Sequence, residues 1–189
     1  MHKILALGTL AKDNMIYDDV ITSNLLGGSG FYFSISASVF TQVVLVSVVG
    51  TDFPKTGLNI LKNNNIDISN VDIKDGKTFS WTGKYYSDKE RETISTKKGV
   101  YSEYMPGKLN FNKGYRYVFL GSMHPEKQLN FINANKFSKS IIVSDTILGY
   151  INSNRLDVIK VVNNSKILLI NMCEASLLAN AKDINIIID

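Results

Sequence analysis

Cysteine, histidine and proline are scarce in this chain of 189 residues, which has one cysteine, two histidines and three prolines. Cys173 by itself cannot form an internal disulfide or a cysteine metal cluster, so we expect a reducing, cytoplasmic compartment. His2 and His124 lie far apart without metal-ligand spacing, and the sequence gives no support for a zinc site. No apolar run approaches the roughly 20 residues that a membrane-spanning helix needs, so no membrane partner is expected.

Basic residues are in slight excess and are scattered along the chain. Lys and Arg number 21 against 17 Asp and Glu, and the longest basic runs are pairs such as Lys97-Lys98. A nucleic-acid partner is therefore not expected. The motifs GxxxxGK[ST], GxGxxG after a strand and GxSxG are also missing, which argues against a standard P-loop, a Rossmann nucleotide site and a serine-hydrolase elbow.

Apolar, β-type runs alternate with helix-type segments along most of the chain. The patterns predict strands at 4–8, 43–50, 66–73, 115–121, 141–145, 166–171 and from 186 onward. They predict helices at 56–64, 126–135, 155–163 and 174–179, besides a helix after the glycine-rich loop. Such alternation favours an α/β fold with a mostly parallel sheet covered by helices, and the length favours one domain over residues 1–189.

The glycine-rich loop that begins at Leu26 runs directly into a predicted helix. Its glycines permit a ligand to lie against the main chain, and the unpaired N–H groups at the helix start could receive ligand oxygens. The alternative is a plain strand-to-helix connection with a flexible joint.

Polar side chains follow several predicted strands. A loop at 9–14 is expected to place Asp13 at the carboxyl end of the first strand, and Asp145 and Glu174 are expected at the carboxyl ends of later strands. Carboxylates accept hydrogen bonds from adjacent hydroxyls, so this set suits a polyhydroxylated ligand. Asp52, just before the helix at 56–64, is interpreted as a helix cap or a turn closure.

Two segments predict an exposed β structure beside these residues. The segment 15–22 predicts an exposed strand leading to the glycine loop, and 78–86 with 93–98 predicts a hairpin. Alternation places Phe79, Trp81 and Tyr85 on one face of that hairpin. This aromatic face either packs on the body of the protein or covers a ligand.

Four segments, in order and with compatible spacing, resemble motifs of the PfkB (ribokinase-like) carbohydrate kinase family. They are Gly8-Thr9-Leu10-Ala11-Lys12-Asp13, Leu26-Gly27-Gly28-Ser29-Gly30-Phe31-Tyr32, Val48-Val49-Gly50-Thr51-Asp52-Phe53-Pro54 and Asn171-Met172-Cys173-Glu174-Ala175. The resemblance covers the N-terminal portion of the family pattern and is greatest for its sugar and nucleoside kinases. It implies a ribokinase-like fold with a small β lid, formed by segments about 15–22 and 78–98.

The resemblance also implies an activity, cofactors and residue roles. ATP would be the phosphoryl donor, Mg²⁺ the metal, and a sugar or nucleoside the small-molecule substrate. The implied substrate-binding residues are Asp13, Gly27, Gly28, Ser29 and Trp81. The implied phosphate- and magnesium-positioning residues are Asp145, Asn171 and Glu174, none of them a direct metal ligand. For Asn171 and Glu174 the alternative is a helix cap with a first-turn acid.

The family's second signature, DTxGAGD, which carries the catalytic base, matches no segment of this chain. We therefore expect no catalytic residue here, a base downstream of Asp189, and a single incomplete kinase domain whose C-terminal part is absent. Such a chain would have little activity alone and would associate as a homodimer or with a complementing C-terminal fragment. The alternative function is a non-catalytic sugar- or nucleoside-binding module derived from such a kinase.

Overall fold

The computed structural model describes residues 3–87, 91–110, 114–181 and 183. The chain divides into two compact units, unit 1 at Met1–Tyr104 and unit 2 at Met105–Asp189. His2 and the strand predicted from 186 onward lie outside the described residues. Within the described part, no helix combines the length and apolar character that crossing a membrane requires.

Unit 1 contains two sheets and two helices. Its elements are β1 (Ile4–Leu7), β2 (Ala11–Tyr17), β3 (Val20–Gly27), α1 (Ser29–Ser38), β4 (Val43–Gly50), α2 (Lys55–Asn63), β5 (Ile66–Lys74), β6 (Ser80–Tyr85), β7 (Glu92–Lys97) and a 3-10 turn at Gly99–Tyr101. Strand β4 pairs in parallel with β1 and with β5. Every residue of β4 is buried, as its continuous β-branched sequence predicts for an inner parallel strand.

The second sheet of unit 1 has four strands in the order β3-β2-β6-β7. Strands β2 and β3 form an antiparallel hairpin, whose turn places Asp18 and Asp19 at φ of 45° and 62°. Two successive positive φ values are typical of a tight hairpin turn that matches the twist of its strands. The prediction of a single exposed strand at 15–22 is therefore wrong, because the chain reverses at these two aspartates. The predicted hairpin of β6 and β7 is confirmed.

Unit 2 has three parallel strands alternating with three helices. Its elements are β8 (Tyr117–Leu120), α3 (Pro125–Asn135), β9 (Ile141–Asp145), α4 (Leu148–Asn163), β10 (Ile167–Leu169) and α5 (Met172–Ala179). Strand β9 pairs in parallel with β8 and with β10. Helix α4 begins seven residues earlier than predicted, and its geometry breaks at Asn154, at φ −138° and ψ 35°. The mostly parallel α/β arrangement predicted from the alternation is confirmed.

Candidate substrate and phosphate sites

Asp13 lies inside the four-stranded sheet, in β2, and not in the loop that the sequence predicts. The loop prediction fails because Ala11 already pairs with Gly27 of β3, so only Gly8 to Leu10 separate β1 from β2. A side chain at Gly27 would overlap Oδ2 of Asp13. A side chain at position 27 would thus force the Asp13 carboxylate to move, whereas glycine lets it lie against the backbone.

One oxygen of the Asp13 carboxylate has no hydrogen-bond partner although it is buried. This atom is Oδ1, and a buried carboxylate oxygen without a donor is an unfavourable arrangement for the folded protein. Burial raises the pKa of Asp13, and the Trp81 backbone amide and the Arg91 guanidinium only partly oppose that rise. The structure thus holds a carboxylate at an energetic cost that these two protein groups relieve only in part.

The start of α1 is occupied by the protein itself. The Ser29 amide donates to Thr9 Oγ1 at 3.2 Å, and the Gly30 amide donates to the Thr9 carbonyl at 2.9 Å. Gly28, at φ 97°, approaches Thr9 so closely that a side chain there would overlap the Thr9 carbonyl. Thr9 thus uses two of the N–H groups that the sequence leaves open for ligand oxygens, and substrate binding by Gly28 and Ser29 stays a prediction.

Trp81 lies directly beside Asp13, since the two residues are register partners in the parallel pair of β2 and β6. The indole lies over Gly83 and meets the Tyr85 ring edge-on, with centroids 6.4 Å apart. Phe79 instead contacts Tyr101 at 5.4 Å between centroids. Unit 1 therefore brings together three of the predicted substrate residues, Asp13, Gly27 and Trp81.

Asp52 closes a turn beside the first residues of β2 and β6. Its Oδ2 pairs with Lys12 Nζ at 2.9 Å, and its Oδ1 accepts from the amide and the hydroxyl of Thr78, both at 2.7 Å. Although burial raises the pKa of Asp52, these hydrogen bonds lower it to about 2. The turn-closure interpretation agrees with these contacts, and α2 has no side-chain cap. The contacts of Lys12 and Thr78 were not predictable from the sequence, since their partner Asp52 is distant in sequence.

In unit 2 the predicted phosphate-positioning residues form a local group. The Asn171 side chain accepts from the Glu174 amide at 2.9 Å, and the Glu174 carboxylate accepts from the Asn171 amide at 3.1 Å. This reciprocal capping box is the alternative that the sequence left open, and it fixes both side chains at the start of α5. Burial and the Glu174 charge raise the pKa of Asp145 to about 6.

Gln128 is a buried residue of α3 that the sequence analysis missed. Its Nε2 donates to the carbonyl oxygens of Leu120, Gly121 and Asp145 at 3.3, 2.9 and 3.1 Å. It thereby ties together the chain after β8 and the end of β9, where Asp145 lies. A glutamine inside a helical segment usually indicates a solvent-exposed position, so no sequence signal indicates this role.

No family model matches the chain. It is 26% identical over 194 residues to a cytidine kinase of Thermococcus kodakarensis, an alignment that covers 97% of this chain and 66% of the relative. It superposes on a nucleoside kinase of Methanocaldococcus jannaschii, a member of the ribokinase family, with a TM-score of 0.75 and 21% identity. That superposition covers 99% of this chain and 67% of the M. jannaschii chain. The chain thus spans about two thirds of the length of these relatives.

Two further structures extend the comparison. A nucleoside kinase of Burkholderia thailandensis, solved with inosine, gives a TM-score of 0.77 at 12% identity, with coverage of 97% and 66% of the two chains. A ribokinase of Cryptococcus neoformans, solved with ADP, gives 0.71 at 16% identity, with coverage of 98% and 64%. The resemblance that the motifs indicate is confirmed: this chain has the ribokinase-like fold of the PfkB carbohydrate kinases.

Proposed function

We propose that this chain supplies the acceptor-binding and phosphate-positioning residues of a kinase that phosphorylates a hydroxyl group of a sugar or nucleoside, with ATP as donor. The relatives described above are a cytidine kinase, nucleoside kinases and a ribokinase. The observation that carries the proposal is the buried, unpartnered Oδ1 of Asp13.

Sugar hydroxyls are suitable partners for this oxygen. An ionised carboxylate only accepts hydrogen bonds, and each hydroxyl of a sugar carries one donor. Once a rotation of the carboxyl group exposes this oxygen, a ribose or hexose hydroxyl could donate to it and recover the energy lost on burying it. Gly27 contributes by its missing side chain, which leaves the position of the carboxylate unobstructed. We therefore assign Asp13 and Gly27 to acceptor binding.

The carboxylates of unit 2 fit the phosphate end of the reaction. Asp145 and Glu174 repel each other and are buried enough to raise the pKa of Asp145, an arrangement that a divalent cation would relieve. Among the described residues there is no group of three or more His, Cys, Asp or Glu that could hold a metal. Mg²⁺ does not require three protein ligands, because it commonly keeps several waters and binds one or two carboxylates together with substrate phosphates.

Mg²⁺ and ATP would supply the remaining chemistry. When bound, Mg²⁺ neutralises charge on the phosphate oxygens during phosphoryl transfer. The part of Asp145 and Glu174 is to hold negative charge where that cation can be attracted. The capping box of Asn171 contributes indirectly, since it fixes the Glu174 carboxylate at the helix start.

Calorimetric titration of the chain with ribose, fructose, cytidine and adenosine tests the acceptor site. We expect at least one of these compounds to bind, and Asp13→Asn to weaken its binding roughly 10- to 150-fold, because a hydrogen bond to a charged group contributes about 1.5–3 kcal/mol. Asp75→Asn removes the same charge at an exposed position and should leave binding unchanged. No binding by the unmodified chain, or equal effects of the two variants, would contradict the proposal.

A phosphoryl-transfer assay with ATP and Mg²⁺ separates the kinase from a pure binding module. The chain is assayed alone and mixed with a segment that covers the last third of the T. kodakarensis cytidine kinase. Turnover that depends on Asp13 would support the kinase proposal. Acceptor binding without turnover in either mixture would favour the non-catalytic binding module.

A further inference from the structure

Trp81 is held in one orientation on the face of the four-stranded sheet that carries Asp13. Its Nε1 donates to Thr93 Oγ1 at 3.1 Å. A side chain at Gly83 would overlap its six-membered ring, and the Tyr85 ring contacts it edge-on. The indole is therefore fixed by β6 and β7 before any ligand binds, and it can itself hold a further group in place.

That further group is the guanidinium of Arg91. Its central carbon lies 5.2 Å from the centroid of the Trp81 ring, within the range of a cation–π contact. Arg91 is exposed, and its charge is close enough to Asp13 to oppose the rise of that residue's pKa. The planar cation is thus exposed to solvent and near the carboxylate, in a position set by the indole.

We propose that Arg91, positioned by Trp81, is a specificity-determining residue that stacks on the base of a nucleoside whose ribose hydroxyls bind Asp13. This inference rests on the proposed function and narrows its acceptor from sugars in general to nucleosides. It assigns to the four-stranded sheet a contact that a free sugar cannot make, because a free sugar has no base.

The dimensions of the sheet agree with such a ligand. Asp13 and Trp81 are neighbours on paired strands, which lie roughly 4.8 Å apart, comparable with the width of a furanose ring. The base of a nucleoside whose ribose lies on Asp13 would therefore be within reach of the indole and the guanidinium. Bases stack on guanidinium planes, and the forked donors of arginine suit the carbonyl and ring-nitrogen acceptors of a base.

A neutral base fits this site better than an acidic sugar does. An anionic substituent near Arg91 would also lie near the Asp13 carboxylate and would be repelled by it. Two lysines of the same sheet already pair with carboxylates: Lys12 contacts Asp52 at 2.9 Å, and Lys84 contacts Asp19 at 3.5 Å. The charge around Asp13 therefore favours an uncharged ligand that uses Arg91 by stacking and hydrogen bonding.

Calorimetry with cytidine and with ribose separates the base from the sugar. Arg91→Ala should weaken cytidine binding roughly 5- to 150-fold, the range for loss of one stacked base, and should change ribose binding less than twofold. Arg91→Lys keeps the charge but loses the planar fork, so it should restore little of the affinity. Arg116→Ala is the matched control, because Arg116 is an exposed arginine over the Tyr117 ring in unit 2, at 5.5 Å.

Fluorescence gives a second readout because Trp81 is the only tryptophan of the chain. Cytidine should change the Trp81 emission of the unmodified protein, and ribose should change it much less. In Arg91→Ala the cytidine-induced change should be shifted to higher cytidine concentration by the same factor as the calorimetric affinity. Melting curves of the variants establish that each one is folded.

The outcomes distinguish this inference from the proposed function. Equal weakening of cytidine and ribose by Arg91→Ala, or no weakening of either, would overturn the inference while leaving Asp13 as the acceptor residue. Tighter binding of a sugar acid than of cytidine, lost in Arg91→Ala, would overturn it in favour of an anionic acceptor. Failure of Asp13→Asn to weaken either compound would instead contradict the proposed function.

Discussion

Asp13→Asn should make the protein more stable while it removes acceptor binding. The buried Oδ1 has no donor, and burial disfavours the charged form of this side chain. An unsatisfied buried polar group costs about 1–3 kcal/mol, and the larger values apply to charged groups. Because Asp13 is only partly buried and asparagine keeps the shape, we expect a gain of about 1 kcal/mol in the free energy of unfolding at pH 7.

The gain should depend on pH in a defined direction. Burial raises the pKa of Asp13 above 3.8, so its unfavourable contribution is absent below that value and develops as pH rises through the folded-state pKa. Asparagine does not titrate in this range. The difference in stability between the variant and the unmodified chain should therefore be complete at pH 7 and close to zero near pH 3, as expected for a charge effect.

Thermal melts at several pH values measure this difference. For a chain of this size, 1 kcal/mol corresponds to a shift of about 2–4 °C in Tm. Asp75→Asn, at an exposed position, is the control and should leave Tm unchanged at every pH. A lower Tm for Asp13→Asn at pH 7, or a gain that does not change with pH, would refute the reasoning that the carboxylate is held at a cost for ligand binding.

Three other outcomes follow from the same contacts. Gly27→Ala should weaken acceptor binding at least tenfold and lower the free energy of unfolding by about 1–3 kcal/mol, because the added methyl displaces the Asp13 carboxylate. Calorimetry measures the binding and denaturant melts measure the stability. Unchanged binding would contradict the assignment of Gly27 to acceptor binding. Asp52→Asn should lower the free energy of unfolding by about 1 kcal/mol at pH 7, a moderate value because solvent partly screens this carboxylate. The difference between the variant and the unmodified chain should disappear as pH falls from 3.8 through about 2, which stability measurements in acid can follow. Burial and the Glu174 charge raise the pKa of Asp145, so its contribution to the free energy of unfolding should fall as pH rises from 3.8 to about 6. Mg²⁺ should lower the pKa of Asp145 in an NMR titration. An Asp145 titration that does not respond to Mg²⁺ would contradict its assignment to the phosphate end.

The parallel strands and most helices were predictable from local sequence. The run 43–50 is β-branched and apolar throughout, which is compatible only with a strand buried on both faces. Asn171 and Glu174 are three residues apart at the start of an apolar helix, and that spacing alone permits a capping box. In both cases the determining interactions lie within one element, so the sequence contains the necessary information.

The four-stranded sheet was predicted less well because the positions of its strands depend on how they pair with one another. The turn at Asp18 and Asp19 has no glycine or asparagine to mark it, so the segment 15–22 resembles one strand. Asp13 follows a short strand and resembles a loop residue, but pairing with β3 and β6 makes it part of the sheet. Register between distant strands is set by tertiary contacts, which single-segment patterns do not contain.

The sequence alone determined the α/β class, the family resemblance and the residue types of the site, since these follow from periodicity and from short contiguous motifs. The tertiary structure decided which of those residues meet and in what state. It placed a glycine against Asp13, left one oxygen of that carboxylate unpartnered, used the amides of α1 to bind Thr9, and put Arg91 over Trp81. These features required the structure because each joins residues that are not adjacent in sequence, and burial and charge act through space.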